Sequence, residues 1–489
     1  MADRAHRLEP SREDQEAWLS ALGHFVQDHL AGLETAPAAG PTGAAGEAIA
    51  AEVSRPVGEE PLPGGLPEII RLLDRAASAS LTAPGPGYLA YIPGGGIYAA
   101  ALADFVSDAL NRYTGMTAPA PAFGRLEQDV LAWLCAAFGY GPESRGLLTA
   151  GGSLANLSAV IAARHARFGD SGRYDGALVY TSSQAHHSVA KAVRMAGIPA
   201  ANLRVLPTDS AYRLLPEELA GAVARDRREG KTPFLAIASA GTTNTGAIDP
   251  LGPLADICSR ENLWLHVDAA YGGAFVLCDE GRRRLAGIER ADSITFDPHK
   301  GMFLPYGTGC LLVRDGARLR DAHHLAAEYL QDFGTGDGVT SRSAVTWSPA
   351  ELGPELSRDF RGLRLWLPLM LHGAGAFRDA LAEKLELARE FARDLARLGT
   401  VEVVAEPQLS VVPFRLARLP QEGLEAWNAR NAAFLTAINN RGRVHLSSTL
   451  LPAEDGRAFT LRACVLSFRT HSRHMQRALE DVAAAARAV

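Results

Sequence analysis

Apolar residues recur at two different periods along this 489-residue chain, and the change of period marks its organisation. From Ser11 onward, SREDQEAWLSALGHFVQDHLAGL opens with a cap residue and an acidic first turn, then repeats Trp18, Leu22, Phe25, Val26, His29 and Leu33 at helical spacing. The predicted helix has an apolar face with no evident partner in its own chain. Residues 34–52, ETAPAAGPTGAAGEAIAAE, are rich in Ala, Gly and Pro without a sustained pattern and read as a connector. Beyond residue 85 or so, short apolar runs alternate with helix-length segments: ALVYTS (177–182), FLAIASA (234–240), LWLHVD (263–268), SITFD (293–297) and GCLLVRD (309–315). Strands spaced by helices imply a largely parallel sheet whose ligands sit at the carboxyl ends of the strands. In the tail, LSVVPFRL (409–416) and FTLRACVLSF (459–468) surround a helical stretch, 424–440, and suggest a smaller α/β layer. The expected division is a helical segment with linker over 1–85, a large α/β domain over 86–365 and a small C-terminal α/β domain over 366–489. No internal repeat is visible.

Composition narrows the class. A hydrophobic fraction of 47% with 21% charged residues is that of a soluble globular protein, and the length calls for more than one core. A net charge of -6 gives no reason to expect nucleic acid or an anionic membrane as partner. The polar face of the first helix carries Glu13, Asp14, Glu16 and Asp28, not the lysine stripe of a membrane-surface helix. Five cysteines lie far apart with no C-x-x-C pair, which argues against a disulfide framework or a zinc cluster and for a reducing cytoplasm. The charged N-terminus has no secretory apolar core, and no run of 18 apolar residues occurs.

Candidate chemistry gathers at the predicted strand ends. LWLHVDAAYGG ends a strand in Asp268, and TFDPHKG places Lys300 just past another. Alone, the first is a loop cap or a functional carboxylate and the second is by default a solvated charge. Upstream, LLTAGGSLANLSAVIAAR runs through Gly151, Gly152 and Ser153 into a helix, which is either a glycine turn with a serine cap or a phosphate cradle. It matches neither the Walker nor the Rossmann spacing. A cradle, a carboxylate and a lysine together are what pyridoxal 5'-phosphate requires: an anion site, a partner for its ring nitrogen and an amine for a Schiff base.

The segments TSSQAHHSVAKAVRMAGI, ASAGTTNTGAIDPLGPLADIC, LWLHVDAAYGGAF, ADSITFDPHKG, ELSRDFRGLRLWLPLMLHG and NNRGRVHLSSTLL carry a resemblance to a known family. Across most of the chain after residue 85, the sequence resembles the group II pyridoxal-phosphate-dependent amino acid decarboxylases, which include the aromatic-L-amino-acid decarboxylases. The resemblance implies fold type I, the aspartate aminotransferase-like α/β architecture, and a homodimer with active sites between subunits. It implies that Lys300 forms the Schiff base, that Asp268 faces the pyridine nitrogen and that His186 stacks on the ring. Thr243, His299 and the Gly151, Gly152, Ser153 turn match residues around the cofactor. His187 is a neighbour of His186 and not a metal ligand, since no further ligands at zinc spacing accompany the pair. Tyr91, Ile92 and Pro93 fall in the family's substrate wall, Ile92 where an aromatic residue is common. Arg112 lies near a subunit boundary, and Arg361 matches an arginine of the active-site region, with a helix-surface salt bridge as its alternative.

Two departures from the family bear on the reaction. Asp297 stands where many relatives carry asparagine beside the phosphate. In the loop after Tyr329, Ser343 falls about where aromatic decarboxylases place the tyrosine that returns a proton to the α-carbon. The expected activity is decarboxylation of an aromatic L-amino acid to its amine. The alternatives are an aldehyde synthase, which loses carbon dioxide and ammonia together, and a decarboxylase of aspartate or glutamate if Arg112 faces the pocket.

Overall fold

The computed structural model describes residues 8–172, 174–324 and 347–489. Seven strands form the larger sheet: β1 (Arg145–Thr149), β2 (Ala177–Ser182), β3 (Leu203–Leu206), β4 (Thr232–Ser239), β5 (Trp264–Asp268), β6 (Ser293–Phe296) and β7 (Gly309–Val313). Their spatial order is β1-β7-β6-β5-β4-β2-β3. Strands β2 to β6 pair in parallel, while β7 runs antiparallel to both β1 and β6. The connection from β6 to β7, residues 297–308, holds only the short helix Pro298–Gly301. That is too little chain for a helical crossover, so β7 returns on itself. The architecture is the expected fold type I α/β sheet, mainly parallel with one reversed strand.

The sheet is covered on both sides, and its central strands are buried almost throughout. Alternation along β5 sends Leu265 and Val267 into the main apolar core and puts Trp264, His266 and Asp268 on the opposite face. The helix Gly152–Phe168 packs against β4, β5, β6 and β7.

The smaller sheet holds β8 (Val401–Val403), β9 (Val411–Leu416), β10 (Ser447–Ala453) and β11 (Gly456–Cys464) in the antiparallel order β10-β11-β9-β8. Helices Leu424–Asn439 and Ser472–Ala486 share its apolar core with the later turns of Arg361–Arg397. The boundary expected between 365 and 366 falls inside that long helix, whose regular dihedrals are interrupted at Gly373, φ 70°. Residues near 88 belong physically with the small sheet, since the Cys464 amide donates to the Leu89 carbonyl at 2.8 Å.

At the N-terminus the helix Arg12–Gly32 forms as its periodicity predicts, with Ser11 capping the Asp14 amide at 3.1 Å. None of its residues is buried. The expected connector is a helix for part of its length, Gly43–Val53. Its alanines favour helix strongly, and Ile49 is its one buried side chain, so a face too narrow to read as periodic suffices.

Asp249 ties the end of β4 to the turn at Leu214, just ahead of the helix Pro216–Arg228 that precedes β4. Its buried carboxylate accepts from the amides of Ser239 and Leu214, each at 2.7 Å, and burial pushes it up to about 6. Asp249→Ala leaves both amides without a partner, and urea titration should show a loss of about 2–4 kcal/mol.

Candidate active site

Five strand ends deliver side chains to one place. The turns after β1, β2, β4, β5 and β6 line a cavity of about 360 Å³. It holds Gly151, Gly152 and Ser153, then His186, Thr243, Asp268, His299 and Lys300, all anticipated from sequence. The parallel strands carry their carboxyl ends to the same edge, and ligand groups collect there.

Lys300 sits on the single-turn helix Pro298–Gly301, with its Nζ 2.9 Å from Asp297 Oδ2. The Asp297 carboxylate is 3% exposed. Its other oxygen, Oδ1, is buried without a hydrogen-bond partner among the described residues. His299 Nδ1 is 2.6 Å from the Thr308 carbonyl. A carbonyl only accepts, so Nδ1 donates and Nε2 is left facing Asp297 Oδ2 at 3.7 Å. Burial lowers the basicity of this ring, with Asp297 opposing the shift.

Asp268 ends β5 between two parallel neighbours, in register with Ser239 and Thr295. Its Oδ1 accepts from the Ala270 amide at 3.2 Å and its Oδ2 from Asn156 Nδ2 at 2.9 Å. Asn156 lies on the second turn of helix Gly152–Phe168 and also reaches Ser188 Oγ at 3.0 Å and His266 Nε2 at 3.0 Å. His186 caps the helix His187–Met195, its Nδ1 accepting from the Ser188 amide at 3.3 Å. The ring proton is therefore on Nε2. Burial lowers the basicity of His186, partly offset by Asp268. His187 is exposed and packs beside it with ring centroids 4.1 Å apart.

The loop bearing Thr243 is strapped from three directions. Asn244 Nδ2 donates to Gln184 Oε1 at 3.0 Å, and Thr449 Oγ1 donates to Asn244 Oδ1 at 2.9 Å. Arg462, on β11, donates to the carbonyls of Thr243 and Asn244 and to Ser447 Oγ.

These residues fit pyridoxal 5'-phosphate. The helix Gly152–Phe168 has no side-chain cap, so its first amides are open to an anion at the cavity. Close approach there depends on glycine: a Cβ on Gly309 would lie 2.4 Å from the Gly151 carbonyl carbon, and one on Gly152 would lie 2.9 Å from Asp297 Oδ2. An amine and a buried carboxylate complete the set. Among the described residues no cluster of three or more His, Cys, Asp or Glu is arranged to hold a metal.

The model of the pyridoxal-dependent decarboxylase conserved domain matches residues 76–417. The chain belongs to this pyridoxal-dependent decarboxylase family. The aromatic-L-amino-acid decarboxylase of Bacillus atrophaeus is 33% identical to the present decarboxylase over 469 residues, covering 95% of this chain and 94% of that one. A phenylacetaldehyde synthase of Arabidopsis thaliana is 31% identical over 404 residues, 80% of each chain. The crystal structure of Oryza sativa TDC with PLP and tryptamine superposes with a TM-score of 0.89 at 26% identity, covering 98% of this chain and 99% of that one.

Other anticipated residues of the decarboxylase lie elsewhere. Arg361 is buried, but Glu355 and Asp359 hold its guanidinium at 2.7 and 2.8 Å, and Nη1 donates to the Leu148 carbonyl at 3.4 Å. It is neither a helix-surface pair nor a cavity-lining group; it braces β1 beneath the Gly151 turn. Arg112 is exposed, one residue past the end of helix Tyr98–Leu110 and its cap Asn111. Tyr91 is 59% exposed at φ 51°, Ile92 packs on the main core and Pro93 is buried, none of them lining this cavity. Tyr329 and Ser343 lie outside the described residues.

Sequence reasoning missed Asn156, Ser188, His266 and Arg462. Their shared signal is a polar side chain inside an apolar, helix- or strand-forming run, where a hydrogen-bond partner is obligatory.

His266 supplies a pH test. Burial pushes its imidazole down to about 4, so it stays neutral in the folded chain. The unfolded chain binds that proton below about 6.5, so its contribution to stability is lost as pH falls from 6.5 toward 4. In His266→Gln the difference in unfolding free energy between pH 7 and 4.5 should shrink by about 2 kcal/mol relative to wild type, read from paired urea titrations.

Proposed function

We propose that this decarboxylase releases carbon dioxide from an aromatic L-amino acid and forms the amine, with Lys300 as the cofactor-bearing residue. The observation that carries the reading is the meeting of Lys300, Asp268, His186 and an uncapped helix N-terminus on one cavity. Bound pyridoxal 5'-phosphate supplies the electron sink for the bonding pair left by carbon dioxide. The amides at Gly152 and Ser153 seat the phosphate. Asp268, fixed by Asn156 and the Ala270 amide, would provide the negative charge for the ring nitrogen. His186 would lie against the ring, and its Nε2–H is offered to the cavity. Asp297 holds the Lys300 ammonium whenever that amine is free, at the observed 2.9 Å. Thr243 and His299 complete the walls.

Relatives named as aromatic-L-amino-acid and tyrosine decarboxylases support an aromatic substrate. Lys300 is the one permanent cation among the described residues lining the cavity. With that amine committed to the cofactor, an acidic side chain finds no counter-charge, and exposed Arg112 offers none within the same chain. Tyr91, Ile92 and Pro93 are our proposed substrate wall, completed across a homodimer. Exposed apolar side chains on helix Arg12–Gly32 (Trp18, Leu19) and helix Tyr98–Leu110 (Leu102, Phe105) support such a partner. Five buried, unpaired cysteines favour a reducing cytoplasm, and among the described residues no helix is long and apolar enough to cross a membrane. A second product is favoured by one sequence feature: Ser343 falls about where the family places its proton-donor tyrosine, and the Arabidopsis thaliana relative is named a phenylacetaldehyde synthase.

Incubating cofactor-loaded protein with a panel of L-amino acids, while following carbon dioxide, amine, aldehyde and peroxide, decides between them. Carbon dioxide matched by amine is expected, largest with aromatic substrates; aldehyde with peroxide establishes the second reading. Lys300→Ala should lower turnover by roughly a thousandfold or more. Sedimentation should give twice the chain mass, and Leu102→Glu with Phe105→Glu should shift it toward the monomer.

A further inference from the structure

Behind Asp268 and His186 runs a chain of buried polar groups with no carboxylate or cation of its own. Trp264 Nε1 donates to Ser293 Oγ at 2.9 Å, Ser293 Oγ meets His266 Nδ1 at 2.8 Å, and His266 Nε2 meets Asn156 Oδ1 at 3.0 Å. Asn156 Nδ2 then serves Asp268 Oδ2 at 2.9 Å and Ser188 Oγ at 3.0 Å, and Ser188 Oγ meets His186 Nδ1 at 2.8 Å. His266 and Ser293 are fully buried, and Asn156 and Ser188 are 2% exposed, so no solvent serves as an alternative partner. Thr295 Oγ1 is the further neighbour of His266 Nε2, at 3.4 Å.

The ends of this chain fix its direction. An indole N–H only donates and a carboxylate only accepts. Facing Asp268, the Asn156 amide must present Nδ2, which turns Oδ1 to His266 and requires its proton on Nε2. His266 Nδ1, carrying no proton, is then an acceptor and takes the Ser293 hydroxyl hydrogen, while a lone pair of that oxygen accepts from Trp264. The second Asn156 amide hydrogen goes to Ser188, whose hydroxyl hydrogen is released to His186 Nδ1.

We propose that Asn156, backed by His266, Ser293 and Trp264, is a positioning residue that aims the Asp268 carboxylate and, by turning the Ser188 hydroxyl onto Nδ1, reinforces the Nε2–H tautomer of His186 that the Ser188 amide also favours. The inference rests on the functional reading above for the use made of Asp268 and His186. The hydrogen-bond direction rests on geometry alone. Tautomer order in the cofactor-free protein is set before any ligand arrives, because every donor in the chain is supplied from within the fold.

The test is ¹H–¹⁵N correlation of the cofactor-free protein with ¹⁵N-labelled histidine, His186 and His266 being assigned by substitution to Gln. Wild type should show both rings as pure Nε2–H. Asn156→Leu removes the branch point and frees the Ser188 hydroxyl to turn, and His186, held then by the Ser188 amide at 3.3 Å alone, should show a measurable Nδ1–H fraction. Asn156→Ala, the milder cut at the same point, takes Oδ1 from His266 Nε2 and leaves only Thr295 Oγ1 at 3.4 Å, and His266 should lose its single tautomer. In loaded enzyme either variant should lower kcat about tenfold with KM changed less than threefold. Unchanged tautomers in whichever variant folds overturn the proposal. Tautomers that shift in a protein inactive on every amino acid uphold the relay and sink the functional reading, whereas an active wild type with Nδ1–H at His186 does the reverse.

Discussion

A carboxylate held at the end of a buried strand, with no ion pair to compensate it among the described residues, is the constraint around which this molecule is arranged. Asp268 is served by one backbone amide and one side-chain amide. Burying a charge is costly unless donors surround it, and the neighbourhood meets that cost with neutral dipoles. Those dipoles must come from somewhere rigid, and they come from the turn after β5 and from the helix crossing the sheet. The lysine that the chemistry needs is matched to a different carboxylate, Asp297. Asp268 is thereby left without an ion pair among the described residues and available to a cationic ring.

The division of labour between the two sheets follows from where their edges meet. The large sheet supplies the cavity, and the small one holds its rim. Arg462 reaches from β11 across to the Thr243 loop, and Arg469 donates to the carbonyls of Pro84 and Gly95 ahead of helix Tyr98–Leu110. Burial depresses the basicity of both guanidinium groups. Their partners are mainly backbone carbonyls, which cannot shift without moving the chain, so the contacts act as fixed struts between layers.

Strands were legible in the sequence wherever apolar runs were continuous: ALVYTS is β2 to the residue, and LWLHVD and GCLLVRD overlap β5 and β7 closely. The residues converging on the cavity were legible because their motifs end strands. What stayed hidden depends on contacts between elements. The reversal of β7 follows from a short connection that apolar pattern alone does not weigh. The helix Gly43–Val53 hides in an alanine-rich stretch with a single buried contact. Arg361 belongs to a motif found near the active site, yet its two carboxylate partners, Glu355 and Asp359, six and two residues earlier, claim the guanidinium. Asn156 looked like one more polar position on a helix until β5 was laid beneath it.

The helix Gly152–Phe168 serves the site twice, with its open end at the turn and with Asn156 one turn further along. Four residues of α-helix advance about 6 Å. A single stiff rod thus sets the interval between the anchor for a ligand's anionic tail and the support for the group that meets its ring. The protein carries its own gauge for ligand length, and a molecule longer or shorter than that interval can satisfy one contact only by abandoning the other.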